Sequence, residues 1–454
     1  MTVSVSDDKS IREAYEADAS GLRLLPDLVA RPESLEEVVE VMQRATADRI
    51  SVTCAGAQTS TTAASITDNG ILLSLRALSS ISPVDAKART ITAGPGALVG
   101  DIKRTAAAAG FLFAPDPTSE EESTIGGAVA CNASGARTFK YGATRQHVQA
   151  LKVVMANGDL REFRRLNLEK NTVGYAFAHD PIDWFIGSEG TLGVIVEAEL
   201  SLLPLPADVV GLSVFFGSED EALRFVVSAR ESQTVAPRCI EYFDDQAIAI
   251  ARDETSGVNI PPGSATMVYV EEEVDDLDET LGKWSELIEL VAPGFEPIVF
   301  DGEARLREAR RMRHSIPSTM NERGGRHLRT GGRKVSTDWA VPYTRLDDAI
   351  RTARAIAKQY DVSEPVIYGH AGNGHPHQNF VARNREELTT IEKAVEQTLR
   401  HVIELGGTVA AEHGIGKIKR RWLPLQMNSL QIAMMSAVKR ELDPHGLLAP
   451  GNIL

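Results

Sequence analysis

Residues 115–142 read PDPTSEEESTIGGAVACNASGARTFKYG, a stretch dominated by small and turn-forming side chains. Thr118, Ser119, Gly126, Gly127, Ala128, Ala130, Ala133, Ser134 and Gly135 let a backbone lie against a flat or phosphorylated surface without side chains intervening. A glycine-rich loop alone is a weak signal, since most are connectors. Two more segments of the same kind strengthen it. CAGAQTSTT at 54–62 follows a short apolar strand read at 50–53, and Ala55, Gly56, Ala57, Gln58, Thr59 and Ser60 offer consecutive N–H groups and hydroxyls suited to a pyrophosphate. IGSEGTLGVIV at 186–196 sets three glycines beside a β-branched run. Together they read as the bed of a large phosphorylated cofactor.

A chain of 454 residues exceeds what one hydrophobic core holds, so two or three domains are expected. With 43% hydrophobic and 24% charged residues the composition is that of an ordinary globular protein. A net charge of -15 argues against nucleic acid or an anionic membrane surface as the main partner. Cys54, Cys131 and Cys239 are far apart and supply neither a disulfide framework nor a CxxC metal site, which points to a reducing compartment. The N-terminal residues hold no apolar leader core, and no apolar run reaches the length of a membrane span, so a cytoplasmic location is expected.

Along the chain, Leu35, Val38, Val39 and Met42 recur at helical spacing over 32–47, with Ser34 and Glu37 forming a capping box. Short β-like runs follow at 71–75, 81–84 and 90–93, then an alanine-rich helix at 97–109. GPGALVG at 94–100 imitates a dinucleotide fingerprint, but its spacing is one residue too long and Pro95 occupies the turn. It is read as a helix-entry turn, and nicotinamide binding is not expected. Asn157-Gly158 between 153–155 and 160–163 predicts a hairpin with a type I′ turn. LPLPADV at 203–209 marks a domain boundary. Beyond it, strands at 212–216, 239–243, 266–271 and 297–300 alternate with helices at 219–232, 275–290, 303–316 and 345–360, suggesting an antiparallel sheet covered by helices. Pro317 is taken to end the helix at 303–316. A last helix is read at 429–442.

YGHAGNGHPHQNF at 368–380 is the most chemically loaded segment. A two-residue turn at Asn373-Gly374 would pair Gly372 with His375, Ala371 with Pro376, and His370 directly with His377. His375, His377 and Asn379 share one pleat face by their spacing of two. VAAEHGIGK at 409–417 adds Glu412 beside His413. His370, His377 and Glu412 then form a two-histidine, one-carboxylate set suited to zinc or another divalent ion such as manganese or iron. A single HPH would more simply be a polar hairpin, and the added carboxylate shifts the balance. EARLREARRMR at 303–313 gathers arginines in an otherwise acidic chain, with Arg310 and Arg313 on one helical face.

These segments resemble, in order and over almost the whole chain from Cys54 to Leu454, the FAD-linked D-2-hydroxyacid dehydrogenases (D-lactate, glycolate and D-2-hydroxyglutarate dehydrogenase type) of the vanillyl-alcohol-oxidase flavoprotein superfamily. The motifs carrying the resemblance are Pro117-Thr118-Ser119, Ile125-Gly126-Gly127, Asn132-Ala133-Ser134-Gly135, Tyr141-Gly142, GSEGTLG at 187–193, GHxGxGxxHxN and EHGxG. The resemblance implies an α+β fold: an FAD-binding domain at 1–205, a cap domain at 206–410 with a helix-covered antiparallel sheet, and a segment at 411–454 returning to the first domain. It implies non-covalent FAD against the three loops, with Glu189, Gly190, Gly193, Ile195 and Asn452 among the contacts. It also implies a metal on His370, His377 and Glu412, His413 as catalytic base, and Arg313 with Lys334 on the substrate carboxylate. Asn379 and His375 are read as further substrate contacts. Departures are Asn373 for the commoner aspartate, His375-Pro376 for Asn-Leu, and Pro317 where 2-hydroxyglutarate enzymes can place a threonine, which weighs against that substrate without excluding it.

The expected reaction is oxidation of a small D-2-hydroxy acid to its 2-oxo acid. Electrons would pass to a quinone, an electron-transfer flavoprotein or a cytochrome, with docking at the inner membrane through such a partner. Homodimer formation stays open. A flavin electron-transfer subunit of a glycolate-oxidase-like assembly is the first alternative. A non-redox transferase like alkyl-glycerone-phosphate synthase ranks lower, because the histidine run those enzymes carry near the EHG position is missing.

Overall fold

The computed structural model describes residues 5–254, 260–294 and 296–454. The chain divides into two compact units, one made of the residues up to Ser134, Gly142–Leu205 and Glu412–Leu454, the other of Gly135–Tyr141 and Pro206–Ala411.

In the first unit, β1 (Val5–Ser6), β2 (Leu28–Ala30), β3 (Val52–Ala55) and β4 (Ile71–Ser74) form a sheet in the order β1-β2-β4-β3, parallel from β2 onward. β4 is buried at every position, as a parallel strand covered on both faces must be. The next strands are β5 (Thr90–Ala93), β6 (Phe111–Leu112), β7 (Val148–Val154), β8 (Leu160–Arg164), β9 (Val194–Ser201) and β10 (Leu203–Pro204). β5-β9-β7-β8 make an antiparallel sheet, and β6 pairs with β10. The helix Leu35–Asp48 starts where Ser34 accepts from the Glu37 N–H at 3.2 Å. The other half of the expected capping box is displaced, because Glu37 accepts from Glu33 N–H instead. β3 begins two residues later than expected, since Ile50 N–H is taken by Ala45 at the helix end.

The run at 81–84 forms one isolated bridge, Ile81 to Ala93, and no strand, with Pro83 unable to donate to a ladder. The hairpin around Asn157-Gly158 exists, but its loop spans 155–159 and only Gly158 is left-handed, at φ 86°. A type I′ turn requires both central residues there, so the turn is of another type.

The second unit carries β11 (Asp208–Phe216), β12 (Pro237–Phe243), β13 (Thr266–Val274), β14 (Ile298–Asp301), β15 (Gly331–Thr337), β16 (Val366–His370) and β17 (His375–Asn384). They form one seven-stranded sheet, β14-β11-β13-β12-β16-β17-β15, antiparallel throughout. Helices Asp245–Glu254 and Gly302–Gly325 pack on one face, where Phe215, Phe243, Met267, Tyr269, Phe300, Met312, Ile316 and Tyr368 share a core.

The helix expected to stop at Ile316 runs through Pro317 to Gly325. Proline removes one helical hydrogen bond at a cost of about 3 kcal/mol. Met312, Ile316, Met320 and Gly324 continue the buried stripe across it at a spacing of four, and that packing outweighs the local penalty. The extension matters: Gly324 lies so close to Lys334 that a Cβ would stand 2.7 Å from the lysine Cβ.

The histidine hairpin is shifted by two residues from the expected register. His370 faces His375, Gly369 faces Pro376, and Tyr368 faces His377. The turn is Ala371–Gly374, closed by Gly374 N–H to Ala371 at 2.9 Å, with Gly374 left-handed at φ 67° and Asn373 not. Val341 N–H donates to Gly374 at 3.0 Å and fixes the turn from outside. A Cβ on Gly374 would run into the carbonyl oxygen of Val341. Gly374→Ala therefore combines a left-handed penalty of about 1–2 kcal/mol with that collision. It should lower the melting temperature by several degrees, whereas Gly325→Ala, in open space at the helix end, should not. Equal melting of the two variants would contradict this turn.

Candidate active site

The pleat gathers the chemistry of the second unit on the face beneath helix Gly302–Gly325. Glu241 of β12, Tyr368 and His370 of β16, His375, His377 and Asn379 of β17, and Lys334 of β15 share it by alternation and register. The shifted register moves the partners yet keeps the three histidines on one side. Their ring centroids are 5.1, 5.2 and 4.8 Å apart for the pairs 370–375, 370–377 and 375–377. All three are buried. Gly369 makes room for them, since a Cβ there would sit 2.9 Å from the His377 ring.

A buried charge on such a face must be paired. Glu241, 1% exposed, is held from both sides. Its Oε1 lies 2.7 Å from His370 Nδ1, and its Oε2 accepts from Arg313 Nε at 2.7 Å. Burial alone would raise its pKa, but the contacts with the His370 ring and the Arg313 guanidinium hold it below the usual carboxylate range. Arg313 Nη2 in turn lies 3.4 Å from the His370 ring nitrogens. One strand away, Glu271 accepts from Arg238 at 2.8 Å and from Arg137 at 3.3 Å. Lys334 donates to Asn321 at 2.9 Å, and burial lowers its pKa to about 8. Asn379 Nδ2 reaches Val366 O at 3.5 Å.

Glu241 was not among the sequence candidates. The signal was an acid at an inward position of an apolar strand, CIEYF at 239–243, which means little until the sheet neighbours are known.

Gly135 and Tyr141 also fall in this unit, where the Tyr141 hydroxyl donates to Glu273.

In the first unit, Glu412 and His413 open the loop that runs to Lys417. Glu412 Oε2 accepts from Ser134 at 3.2 Å, and its Oε1 lies 3.3 Å from His413 Nε2. Glu189 shapes this loop from beneath by accepting from Ile415 N–H at 2.5 Å and Gly416 N–H at 2.7 Å. Burial raises the Glu189 pKa against those bonds and the nearby lysines. Gly414 and Gly416 are left-handed, at φ 75° and 51°, and side chains there would strike Glu189 and Thr62 respectively. Asn452 is spent on the protein too, donating to Ala64 and Glu189 carbonyls and accepting from Lys417. In Glu189→Gln one of the two N–H groups faces another donor, which costs about 1–3 kcal/mol. Hydrogen exchange at Ile415 and Gly416 should quicken accordingly, and unchanged exchange would show that the carboxylate does not hold the loop.

The cofactor candidates of this unit lie on turns. Among the described residues, the N–H groups of Ala57, Gln58, Thr59 and Ser60 meet no protein acceptor, while Gln58 takes φ 57° and its amide is tied to Tyr15 O at 2.9 Å. A half-exposed run of unclaimed donors fits a pyrophosphate. Asn132 caps the helix Ile125–Cys131 at φ 51° and accepts from Arg145 N–H, so its side chain serves the fold. Gly193 lies against Val153 and Phe185, and Ile195 is buried. Pro117, Thr118 and Ser119 lie in the loop before that helix, Gly126 and Gly127 in its first turn, and Gly190 follows Glu189 at φ 74°. Burial raises the thiol of Cys54 to about 12, which makes it an unreactive neighbour of the first loop.

Comparison with known proteins bears on this arrangement. A family model described as "FAD binding domain" matches residues 26–164, and one described as "FAD linked oxidases, C-terminal domain" matches residues 205–453. The chain is 29% identical over 451 residues to "Glycolate oxidase subunit GlcD" of Bacillus subtilis, covering 98% of this chain and 93% of the relative. It is 27% identical to "D-lactate dehydrogenase" of Anaerostipes hadrus, covering 94% and 89%, and 28% identical to "D-2-hydroxyglutarate dehydrogenase" of Stutzerimonas stutzeri, covering 94% and 91%. A solved alkyldihydroxyacetonephosphate synthase shares the fold, with a TM-score of 0.73 at 17% identity over 98% of this chain and 82% of that one. Among the described residues no helix is long and apolar enough to cross a membrane. The chain therefore belongs to the FAD-linked oxidases, flavin-dependent oxidoreductases of the vanillyl-alcohol-oxidase superfamily.

Proposed function

We propose that this protein oxidises a small 2-hydroxy acid, of the D-lactate, glycolate or D-2-hydroxyglutarate kind, to the 2-oxo acid. The observation that carries the reading is the helix-covered sheet face where Arg313, braced by Glu241, stands beside His370, one of three clustered buried imidazoles. An arginine next to imidazoles in a buried setting suits a carboxylate with a hydroxyl one carbon away. The substrate names carried by the relatives agree in kind with that chemistry.

In this reading Arg313 grips the carboxylate by its guanidinium fork and Lys334 adds a second positive charge. His413 accepts the hydroxyl proton at a ring nitrogen, a task suited to imidazole near neutral pH. Asn379 and His375 orient the acid. The loop carrying the N–H groups of 57–60 would help hold FAD non-covalently, and FAD when bound would supply the acceptor for the hydride from C2. His370 and His377, with Glu412 as the carboxylate assigned from the sequence pattern, are the residues that would hold a divalent metal, zinc before manganese or iron, whose charge would acidify the hydroxyl. A second reading, a flavin subunit whose turnover needs a partner chain, is favoured by the word "subunit" in the name of the Bacillus relative. The transferase reading gains nothing from the shared fold, since fold does not carry chemistry.

Anaerobic titration of the FAD-loaded protein with a panel of D- and L-2-hydroxy acids tests the reaction. Bleaching of the flavin band by at least one D-acid or glycolate is expected, and no bleaching by any member would overturn the reading. His413→Ala should keep bound FAD yet lose that bleaching, and a variant that still bleaches would remove His413 from proton transfer. The lowered pKa of Lys334 gives a pH test. The ammonium is charged below about 8 and loses its charge as pH rises through that value, so KM for the acid should climb across that range. Lys334→Arg should lack this limb, because guanidinium stays charged; a wild-type KM that is flat from about pH 7 to 9 would exclude Lys334 from substrate binding.

A further inference from the structure

We infer that Glu241 is a positioning residue that sets the metal-facing nitrogen of His370 and the reach of Arg313 with one carboxylate. The inference rests on the reading of His370 as a metal ligand. A carboxylate can only accept, so the 2.7 Å contact between Glu241 Oε1 and His370 Nδ1 places the ring proton on Nδ1. In the neutral ring Nε2, 3.4 Å from Arg313 Nη2, is then the nitrogen with a lone pair, the form a metal binds, and carboxylate-to-histidine pairs of this kind orient metal-ligating rings. The other oxygen takes Arg313 Nε at 2.7 Å and so aims the terminal nitrogens of the guanidinium. Glu241 has no part to play in contacting substrate, being 1% exposed and used on both oxygens.

A carboxylate needed only to neutralise a buried guanidinium would not have to span to an imidazole. Glu271, on the same face of the neighbouring strand and 3% exposed, neutralises Arg238 and Arg137 and, among the described residues, touches no histidine. Glu271 also spans two kinds of partner, its Oε1 taking the Tyr269 hydroxyl at 2.9 Å, and what distinguishes Glu241 is that one of its partners is an imidazole. The consequence is geometric: the spacing between the group that holds the substrate carboxylate and the group that holds the metal is fixed by a single rigid side chain on β12.

Glu241→Gln separates this role from plain stability. The amide keeps an acceptor for one neighbour and turns an NH2 toward the other. Facing His370, it forces Nδ1 to accept and moves the proton to Nε2. The FAD-loaded protein, stripped of metal by chelation, is titrated with Co2+ while the visible d–d absorption is followed, and FAD content and melting temperature are recorded alongside. The expected result is a Kd for Co2+ weaker by about 10–100-fold in Glu241→Gln, with FAD content unchanged. Glu241→Asp keeps the charge but is too short to touch both partners, and should weaken binding in the same direction. Glu272→Gln is the control: Glu272 accepts from Ala236 N–H at 3.0 Å and Trp284 Nε1 at 2.8 Å, and its substitution should leave the Kd unchanged. Wild-type affinity in both Glu241 variants, or an equal loss in Glu272→Gln, overturns the inference. Failure of the wild-type protein to bind Co2+ overturns the metal reading beneath it.

Discussion

A sheet face that is covered by a helix cannot carry unpaired charge, and the second unit of this protein satisfies that constraint by interlocking its charges. Glu241 sits between Arg313 and His370, and Glu271 between Arg238 and Arg137. Each carboxylate is buried and held ionised by the cations around it. Such networks are costly to assemble and tolerate little change in any member. What they gain is fixed geometry, which the proposed binding of a small acid in one orientation would require.

The same logic operates at the backbone level in the first unit. The EHGIGK loop has two left-handed glycines and little regular structure of its own, and Glu189 gives it a shape by accepting from two consecutive N–H groups. The sequence segment GSEGTLG therefore supports the neighbouring loop through Glu189, whatever it also contributes to the proposed cofactor bed. Catalytic loops positioned by a buried scaffold residue are common because loops alone lack the packing to hold a geometry.

Features written in local chemistry were legible in the sequence. The glycine-rich turns, the antiparallel sheet under helices, the final helix at 429–442 and the gathering of the hairpin histidines on one face all announce themselves through spacing and turn residues. What escaped depended on distant partners. The hairpin register was set by Gly374 and by Val341 bonding to it from another segment, so a two-residue turn gave way to a four-residue one. Pro317 did not end its helix, because Met320 and Gly324 still had a core to join. Glu241 was invisible because a lone acid in a strand acquires meaning only when the sheet brings His370 beside it. The likeness to alkyldihydroxyacetonephosphate synthase adds a related caution, since the scaffold is shared and the chemistry is decided by side chains such as these.

In the proposed site the imidazole face of the β16–β17 hairpin holds a metal ion for the bound acid. X-ray absorption at the K-edge of the metal that co-purifies with the FAD-loaded protein tests it most directly. A nitrogen and oxygen shell at about 2.0–2.1 Å with the outer-shell scattering of at least two imidazoles is expected, diminished in His377→Ala. A shell of oxygen alone, without imidazole scattering, would contradict it.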